Sequence, residues 1–307
     1  MKAVIYKKYG PPNVLEHTEI AKPVPRDNEI LIQIYAATVT SGDVRLRASD
    51  FPALFWLPAR LIFGLFTPKK KILGHEFAGV VTGKGKKVTQ FEIGDCVFGT
   101  TTMLNTGSYA EYTCVPETWK SGVVAHMPSN LRFQEASALP VGAMTAMYLL
   151  EKAQINNGQN VLIYGASGSV GSFAVQLAKQ QGASVSAVCG GTNFTMVRSL
   201  GADHIIDYQK ETYTSLQKRF DIVFDAVGKT TQSKAKQVLK KGGTFVSVKM
   251  LTKEKKEHLL RIKALAEEEM LKPFIDQVLT LDRIVEAHAY VDKGHKKGNV
   301  VIQIREG

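Results

Sequence analysis

The feature that most constrains the fold of this chain is a glycine-rich turn between an apolar run and an amphipathic run. The apolar run covers residues 160–164, the turn 165–168 and the amphipathic run 169–181. A strand, a glycine turn and a helix in this order bring a bound phosphate to the positive end of the helix. Gly168 and Gly171 stand where side chains would block a pyrophosphate or the packing of helix on strand. The segment therefore predicts a dinucleotide site, with an ordinary strand–helix turn as the alternative.

Two details of this segment bear on which dinucleotide binds. Ala166 occupies the position of the first glycine in the usual G-x-G-x-x-G pattern, so the fingerprint is a variant. An NAD site usually has an acidic residue roughly 20 residues further on, which binds the ribose 2′-hydroxyl. Residues 189–193 contain no acidic residue, and we therefore predict NADPH as the cofactor. The contacts predicted here are Gly165, Ala166, Ser167, Gly168, Ser169, Val170, Gly171, Cys189, Gly190, Thr192, Asn193 and Tyr208.

Other side chains could accept a 2′-phosphate from further away. Lys179, Arg198 and Tyr208 are possible outer partners, and for each of them the alternative is an ordinary exposed residue of a helix or loop. The choice between these interpretations depends on where the fold places the three side chains.

Length and composition are those of a soluble globular protein with two domains. The chain has 307 residues, of which 44% are hydrophobic and 22% are charged. Cys96, Cys114 and Cys189 have neither disulfide nor metal-ligand spacing, which favours a reducing, cytoplasmic environment. Residues 1–9 are typical of a strand with lysines, and no long apolar core follows, which argues against a signal peptide.

The formal net charge of +11 raises the question of an anionic partner. Nucleic acid, an anionic membrane, or a solvated basic surface that attracts a dinucleotide would each account for it. The short lysine clusters are spread along the chain and no aromatic residues interleave them, so we expect no specific nucleic acid.

The periodicity of the chain changes at about residue 124. Before it, short strands at 4–6, 29–36, 77–82 and 109–115 are separated by Gly, Pro and Asn, which predicts an antiparallel, barrel-like region. After residue 160, strands alternate with helices, which predicts a parallel doubly wound sheet. The predicted strands of this sheet are 161–164, 184–188, 204–206, 221–224 and 244–248, and the helices are 169–181, 195–200 and 234–239. Helices at 133–151 and 257–269 flank the sheet, and a strand at 299–304 ends the chain.

Several motifs resemble the medium-chain dehydrogenase/reductase superfamily. They include LGHEFAGV at 73–80, GDCVFG at 94–99 and LGAD at 200–203. Within this superfamily the chain most resembles the zinc-independent quinone oxidoreductases, over nearly its whole length. The resemblance implies an α/β fold with an active site in the cleft between two domains. These would be a GroES-like β-barrel catalytic domain, 1–123 plus 271–307, and a Rossmann NADPH-binding domain, 124–270.

The same resemblance assigns further site residues. It implies catalytic roles for Thr40 and Asp43. The additional cofactor contacts would be Val141, Thr145, Val227 and Gly228.

Zinc is not expected. In the zinc alcohol dehydrogenases of the superfamily a Cys, a His and a second Cys hold the catalytic metal, and motif matching places Thr40, His75 and Val141 at these positions. A zinc site needs several nitrogen or sulfur ligands, and of these three residues only His75 could supply one. The structural four-cysteine lobe is absent as well, since residues 99–108 contain no cysteine. His75 and Glu76 would instead be structural, within hydrogen-bonding reach of Asp43.

The chemistry that remains is hydride transfer to an electron-poor acceptor. A small hydrophobic quinone or α,β-unsaturated carbonyl accepts hydride at carbon and needs no Lewis acid. Thr40 stands where many relatives have Asn or Tyr, so its hydroxyl either contacts the acceptor or has only a local turn role. The alternative function is a non-catalytic dinucleotide- or RNA-binding member of the family. The physiological acceptor and the oligomeric state stay open.

Two segments depart from the usual pattern. Residues 51–66 are unusually apolar but too short to span a bilayer. They predict a hydrophobic lid or pocket wall, with ordinary core and peripheral membrane contact beside the lysines at 69–71 as alternatives. Residues 249–270 leave no room for the usual sixth strand of the parallel sheet, which should therefore end at 244–248. We expect the helix at 257–269 and the adjacent lysines to shield that edge.

Overall fold

A computed structural model describes residues 1–101 and 106–306, with Leu54 described by its backbone alone. The chain forms two compact units, each assembled from separate segments. Unit 1 comprises Met1–Pro140, Lys255–Lys263 and Ile275–Gly307, and unit 2 comprises Val141–Glu254 and Ala264–Phe274.

Strands and helices are numbered in chain order over the described residues. The strands are β1 (Lys2–Tyr6), β2 (Leu15–Glu19), β3 (Glu29–Thr38), β4 (Glu76–Lys84), β5 (Cys96–Thr100), β6 (Tyr112–Pro116), β7 (Val124–His126), β8 (Asn160–Tyr164), β9 (Ser184–Cys189), β10 (His204–Asp207), β11 (Phe220–Asp225), β12 (Leu239–Ser247), β13 (Ile275–Thr280) and β14 (Asn299–Gln303). The α-helices are α1 (Ser41–Ala48), α2 (Ala53–Phe63), α3 (Phe133–Ser137), α4 (Pro140–Lys152), α5 (Ser169–Gln180), α6 (Phe194–Ser199), α7 (Gln232–Lys236), α8 (Lys256–Glu267) and α9 (Ile284–Asp292).

Unit 2 contains a parallel five-stranded sheet in the order β10-β9-β8-β11-β12. The chain runs outward from β8 to β10 and then returns to β11, so the strand order reverses between β8 and β11. In open α/β sheets, ligands bind at the carboxyl ends of the strands at such a reversal. The doubly wound prediction is confirmed, and the glycine turn follows the central strand β8.

The parallel sheet ends at its fifth strand. Residues 249–274 are all described and add no strand to it, so the prediction that the sixth strand is missing is confirmed. β12 begins earlier than predicted, because Leu239 already pairs with Phe220 across a register shift. The predicted helix at 234–239 is correspondingly shorter. Shielding of the β12 edge stays a prediction.

Unit 1 is built around the long strand β3. One edge of β3 pairs with β4, while the other pairs with β6 along Glu29–Gln33 and with β14 along Ala36–Thr38. This branching joins seven strands into one mostly antiparallel sheet. Its core includes Ile30, Ile32 and Ile34, which are fully buried. The outer strand β13 differs from the antiparallel expectation, because it pairs in parallel with β14.

A second core cluster of unit 1 encloses charged and polar groups. The His288 ring on α9 is fully buried, and its edge meets Tyr109 with ring centroids 5.6 Å apart. Among the described residues, neither ring nitrogen of His288 has a hydrogen-bond partner. Arg47 is also buried and donates to Asp292 at 2.7 Å. Burial, with a smaller contribution from the nearby Arg47 guanidinium, lowers the pKa of His288 to about 3, so His288 is neutral in the folded protein.

This buried histidine predicts an acid-sensitive fold. Below about pH 6.5 the unfolded chain binds a proton at His288, whereas the folded chain does not until about pH 3, so stability falls as pH decreases across that window. The contribution approaches about 1.4 kcal/mol per pH unit at most. Denaturant unfolding measured from pH 7 to pH 5 gives the free energy of unfolding at each pH. Its slope against pH should be shallower for His288→Leu than for the wild type. The exposed His17→Leu should keep the wild-type slope; equal slopes for all three proteins would contradict this prediction.

Candidate dinucleotide-binding site

The turn between β8 and α5 has the geometry of a phosphate-binding turn. Gly165 has a φ of +81°, and a Cβ there would lie 2.5 Å from Cγ1 of Val227. A Cβ on Gly171, in the first turn of α5, would lie 2.1 Å from the Gly165 carbonyl oxygen. These two glycines are therefore required by the backbone conformation and by the close approach of helix to strand.

Gly168 is not required by packing. It is the N-cap of α5, and the nearest atom to a Cβ built on it is the Gly165 oxygen at 3.6 Å, an ordinary contact. A glycine N-cap has no side chain that could accept from the N–H groups of the first helical turn. The positive end of α5 is therefore open to an anion, and this opening fits the pyrophosphate of a dinucleotide.

The residues that follow β9 turn back toward the glycine turn. Asn193 ends a short 3-10 turn, Gly191–Asn193, and its Nδ2 donates to Ser167 Oγ at 3.1 Å. Its Oδ1 is buried and has no hydrogen-bond partner within the part of the chain that the structure describes. The structure thus brings two predicted contacts together and leaves an acceptor that a ribose hydroxyl could satisfy.

The end of β10 changes the sequence-based picture. Because β10 pairs in parallel with β9, Asp207 lies opposite Cys189, and its Oδ2 lies 3.2 Å from where a Cβ on Gly191 would be. Residues 189–193 contain no acidic residue, but the fold brings the carboxylate of Asp207 beside them. The sequence-based prediction considered only residues 189–193, whereas the carboxyl end of the neighbouring strand β10 lies at the same sheet edge. Asp207 is buried, with Oδ1 accepting from the Gln209 N–H at 3.0 Å.

The three possible outer partners have different positions. Tyr208 is half exposed, and its hydroxyl lies 3.5 Å from where a Cβ on Gly190 would be, so it stands beside the end of β9. Lys179 instead pairs with both carboxylate oxygens of Asp203 at 2.9 Å. Arg198 is an exposed residue of α6. Of the three, Tyr208 is the one that the structure brings next to a predicted cofactor contact.

Asp225 organises the loop after β11. Its Oδ1 accepts from the N–H groups of Val227, Gly228 and Lys229 at 3.3, 2.9 and 3.3 Å. Its Oδ2 accepts from Ser247 Oγ at 2.8 Å. The carboxylate is fully buried and therefore fixes the turn that carries the predicted contacts Val227 and Gly228. Sequence reasoning missed this residue, although an acidic residue at the end of a buried strand is a visible signal.

Helix α4 provides the other predicted contacts of unit 2. Val141 and Thr145 are half-buried and four residues apart, so they lie on the same face of α4. A Cβ on the adjacent Gly142 would lie 2.4 Å from Ser169 Oγ. The first turn of α4 therefore packs against the first turn of α5.

The predicted catalytic residues belong to unit 1, where they cap a helix. Thr40 is the N-cap of α1; its Oγ1 accepts from the Asp43 N–H at 3.1 Å and donates to Asp43 Oδ2 at 2.6 Å. Asp43 is buried and its Oδ1 also accepts from the Gly74 N–H at 3.0 Å. Glu76 accepts a hydrogen bond from the Thr38 hydroxyl. These contacts show a structural role for Thr40 and Asp43, and their catalytic role stays a prediction.

The residues present do not fit a zinc ion. In residues 1–101 and 106–306, no group of three or more His, Cys, Asp or Glu side chains is arranged to hold a metal. The hydroxyl of Thr40 is already engaged with Asp43, and Val141 has no donor atom. Cys114 and Cys189 are buried, and burial raises the pKa of the Cys189 thiol to about 11, with Asp207 adding to the shift. Zinc independence itself stays a prediction.

Comparisons with known proteins agree with this architecture. Residues 26–129 match the family described as alcohol dehydrogenase GroES-like domain, and residues 169–271 match a zinc-binding dehydrogenase family. The 2-methylene-furan-3-one reductase of Solanum lycopersicum is 35% identical, over 98% of this chain and 79% of the relative. The chloroplastic NADPH-dependent alkenal/one oxidoreductase of Arabidopsis thaliana is 31% identical, with the same coverage. The solved quinone oxidoreductase of Coxiella burnetii has a TM-score of 0.85 and 27% identity, covering 99% of both chains.

These matches and the fold identify the class of protein. The chain belongs to the medium-chain dehydrogenase/reductase superfamily, whose members are dinucleotide-binding oxidoreductases. Within the superfamily it is a quinone oxidoreductase-like member. None of the helices in the described residues is long and apolar enough to cross a membrane.

Proposed function

We propose that this protein is an NADPH-dependent reductase that transfers hydride to a carbon atom of a quinone or an α,β-unsaturated carbonyl. The observation that carries the proposal is the open N-terminus of α5 at Gly168, beside the unsatisfied Oδ1 of Asn193. Relatives over 30% identical are named as reductases or oxidoreductases of a furanone, of alkenals and alkenones, and of quinones, which supports the acceptor class.

NADPH rather than NADH is the proposed donor. Residues 189–193 supply no carboxylate of their own to pair with a ribose 2′-hydroxyl. Asp207 is close to Gly191 but lies on β10 and is buried, which limits its access to a ribose. Tyr208 is half exposed and can donate its hydroxyl proton to a 2′-phosphate, and the net charge of +11 favours the more anionic cofactor.

The chain's residues would bind and orient the reactants, and the bound nicotinamide would supply the hydride. The positive end of α5 would hold the pyrophosphate. Ser167 and Asn193 would bind a ribose, and Asp225 would keep Val227 and Gly228 in position. Thr40 already donates its hydroxyl proton to Asp43. It could therefore donate to an oxygen of the substrate only if its hydrogen bond to Asp43 breaks. We propose Thr40 as a contact of the substrate and assign no proton donor.

A kinetic experiment tests this proposal. The purified chain should oxidise NADPH when given at least one member of a panel of quinones, enals and enones. We expect kcat/KM for NADPH to exceed that for NADH by about tenfold, the effect of one charge-assisted hydrogen bond. Activity should persist in a metal chelator, since no step uses zinc. Tight NADPH binding without oxidation by any acceptor would favour the non-catalytic alternative, and equal use of NADH would contradict the cofactor assignment.

A further inference from the structure

An exposed apolar surface lies on α2 and the turn that follows it. Of the 14 large hydrophobic side chains that are exposed in the described residues, seven lie within residues 55–66. We call these the apolar tip: Phe55, Trp56, Leu57, Leu61, Ile62, Leu65 and Phe66. This exposure contradicts ordinary core for most of residues 51–66, although Phe51 and Phe63 are partly buried and pack against the core of unit 1. A contiguous apolar patch of this kind on a soluble protein commonly marks an interaction surface.

Five main-chain carbonyl groups beneath the apolar tip accept hydrogen bonds from the protein itself. Carbonyl groups at the end of a helix normally need water or a capping partner. Here side chains and main-chain N–H groups from unit 1 supply those partners. The bonds are Lys69 Nζ to Leu61 O (2.9 Å), Gly64 N to Arg60 O (2.8 Å), Lys69 N to Phe63 O (2.8 Å), Tyr9 Oη to Gly64 O (2.9 Å) and Arg60 Nη2 to Leu65 O.

These bonds determine which surroundings the tip tolerates. An unsatisfied carbonyl is costly in hydrocarbon, and this cost normally keeps irregular backbone out of a bilayer. Because these carbonyl groups accept hydrogen bonds from the protein, they keep their partners when the tip leaves water.

The charge around the apolar tip favours an anionic surface. Residues 51–75 contain no acidic residue, but they contain Arg60, Lys69, Lys70 and Lys71. Lys69 and Lys71 are exposed at the base of the tip. An apolar, aromatic-containing helix flanked by lysines is typical of helices that lie in the headgroup region of anionic membranes.

We propose that the apolar tip docks unit 1 onto the surface of an anionic lipid bilayer. The side chains of the tip enter the boundary between headgroups and acyl chains, and Lys69 and Lys71 lie at the level of the lipid phosphates. This peripheral contact goes beyond the reductase activity and does not depend on it. A second copy of the chain or another protein is the competing occupant of the same surface.

Co-sedimentation with lipid vesicles tests this docking. The full chain should bind vesicles of equal parts phosphatidylcholine and phosphatidylglycerol, and bind poorly to phosphatidylcholine alone. The double variant Phe55→Ser/Leu61→Ser should reduce partitioning by about tenfold or more, because two apolar side chains lose their insertion. Lys71→Glu should reduce it by about thirtyfold, since the charge changes by two units at about 1 kcal/mol each. The side chains of Phe55 and Leu61 are 61% and 58% exposed, so the double variant should still fold.

A matched control is available outside the tip. Ile93, also in unit 1, is 66% exposed, and Ile93→Ser should bind anionic vesicles as the wild type does. Absence of binding to the anionic vesicles, or equal binding by the double variant, would overturn the proposal. So would sedimentation velocity that shows a wild-type dimer in the absence of lipid, lost in the double variant, because the tip would then be occupied by a second copy.

Discussion

Replacing Gly168 with valine should weaken NADPH binding by about a hundredfold or more, which corresponds to about 3 kcal/mol, while the fold persists. The backbone at this N-cap is extended, with a φ of −80°, which valine readily adopts, and its Cβ would meet nothing closer than 3.6 Å. Its two methyl groups would instead occupy the opening at the positive end of α5, where the pyrophosphate is proposed to lie. Calorimetric titration with NADPH measures the loss, and thermal unfolding without cofactor measures any cost to the fold.

Gly171 provides the matched control for Gly168→Val. A Cβ on Gly171 would lie 2.1 Å from the Gly165 oxygen, so Gly171→Ala should lower the folding stability of unit 2 even without cofactor. The two variants therefore separate a glycine that ligand binding requires from a glycine that packing requires. Near-native NADPH affinity in Gly168→Val would show that the glycine turn is not the phosphate site.

Replacing Asp225 with alanine should destabilise unit 2 by about 3 kcal/mol. The buried carboxylate accepts three main-chain N–H groups and the Ser247 hydroxyl, and alanine leaves all four donors without this acceptor. The loop at Val227 and Gly228 would then lose its anchor, and NADPH affinity should fall as well. Chemical denaturation followed by circular dichroism gives the stability change.

Asp225→Asn separates the acceptor role of this residue from its charge. Its Oδ1 can still accept from the loop, and its amide can donate to Ser247, whose hydroxyl both donates and accepts. We expect Asp225→Asn to recover more than half of the stability lost in Asp225→Ala. If alanine were as stable as the wild type, the hydrogen bonds of Asp225 would not be what holds this loop.

The spacing of nearby residues in the sequence correctly predicted two features of the fold. The glycine turn after β8 and the five-stranded limit of the parallel sheet both follow from residue spacing, and the structure has both. The predicted helix at 133–151 is divided, since α3 ends at Ser137 and α4 begins at Pro140. Proline lacks an N–H and suits the first turn of a helix, so this break was visible in the sequence but outweighed by the apolar periodicity.

Contacts between distant segments explain what sequence reasoning missed. The carboxylate of Asp207 reaches Gly191 only through the pairing of β10 with β9. Asp225 meets Ser247 only because β12 lies beside β11. The mutual capping of Thr40 and Asp43, by contrast, is a local pattern, and it agrees with the local turn role that the sequence offered for Thr40.

The branching of β3 has a consequence for the order in which the protein matures. All five strands of the parallel sheet lie within residues 160–247, so that sheet can form as soon as this stretch leaves the ribosome. Three residues on one edge of β3, Ala36–Thr38, must wait for β14. The buried Arg47 must wait for Asp292, which follows it by 245 positions. Contacts between segments so far apart form slowly and leave hydrogen-bonding edges exposed in the meantime. The nascent chain is therefore most vulnerable to misassociation through unit 1, late in translation, when unit 2 can already be folded.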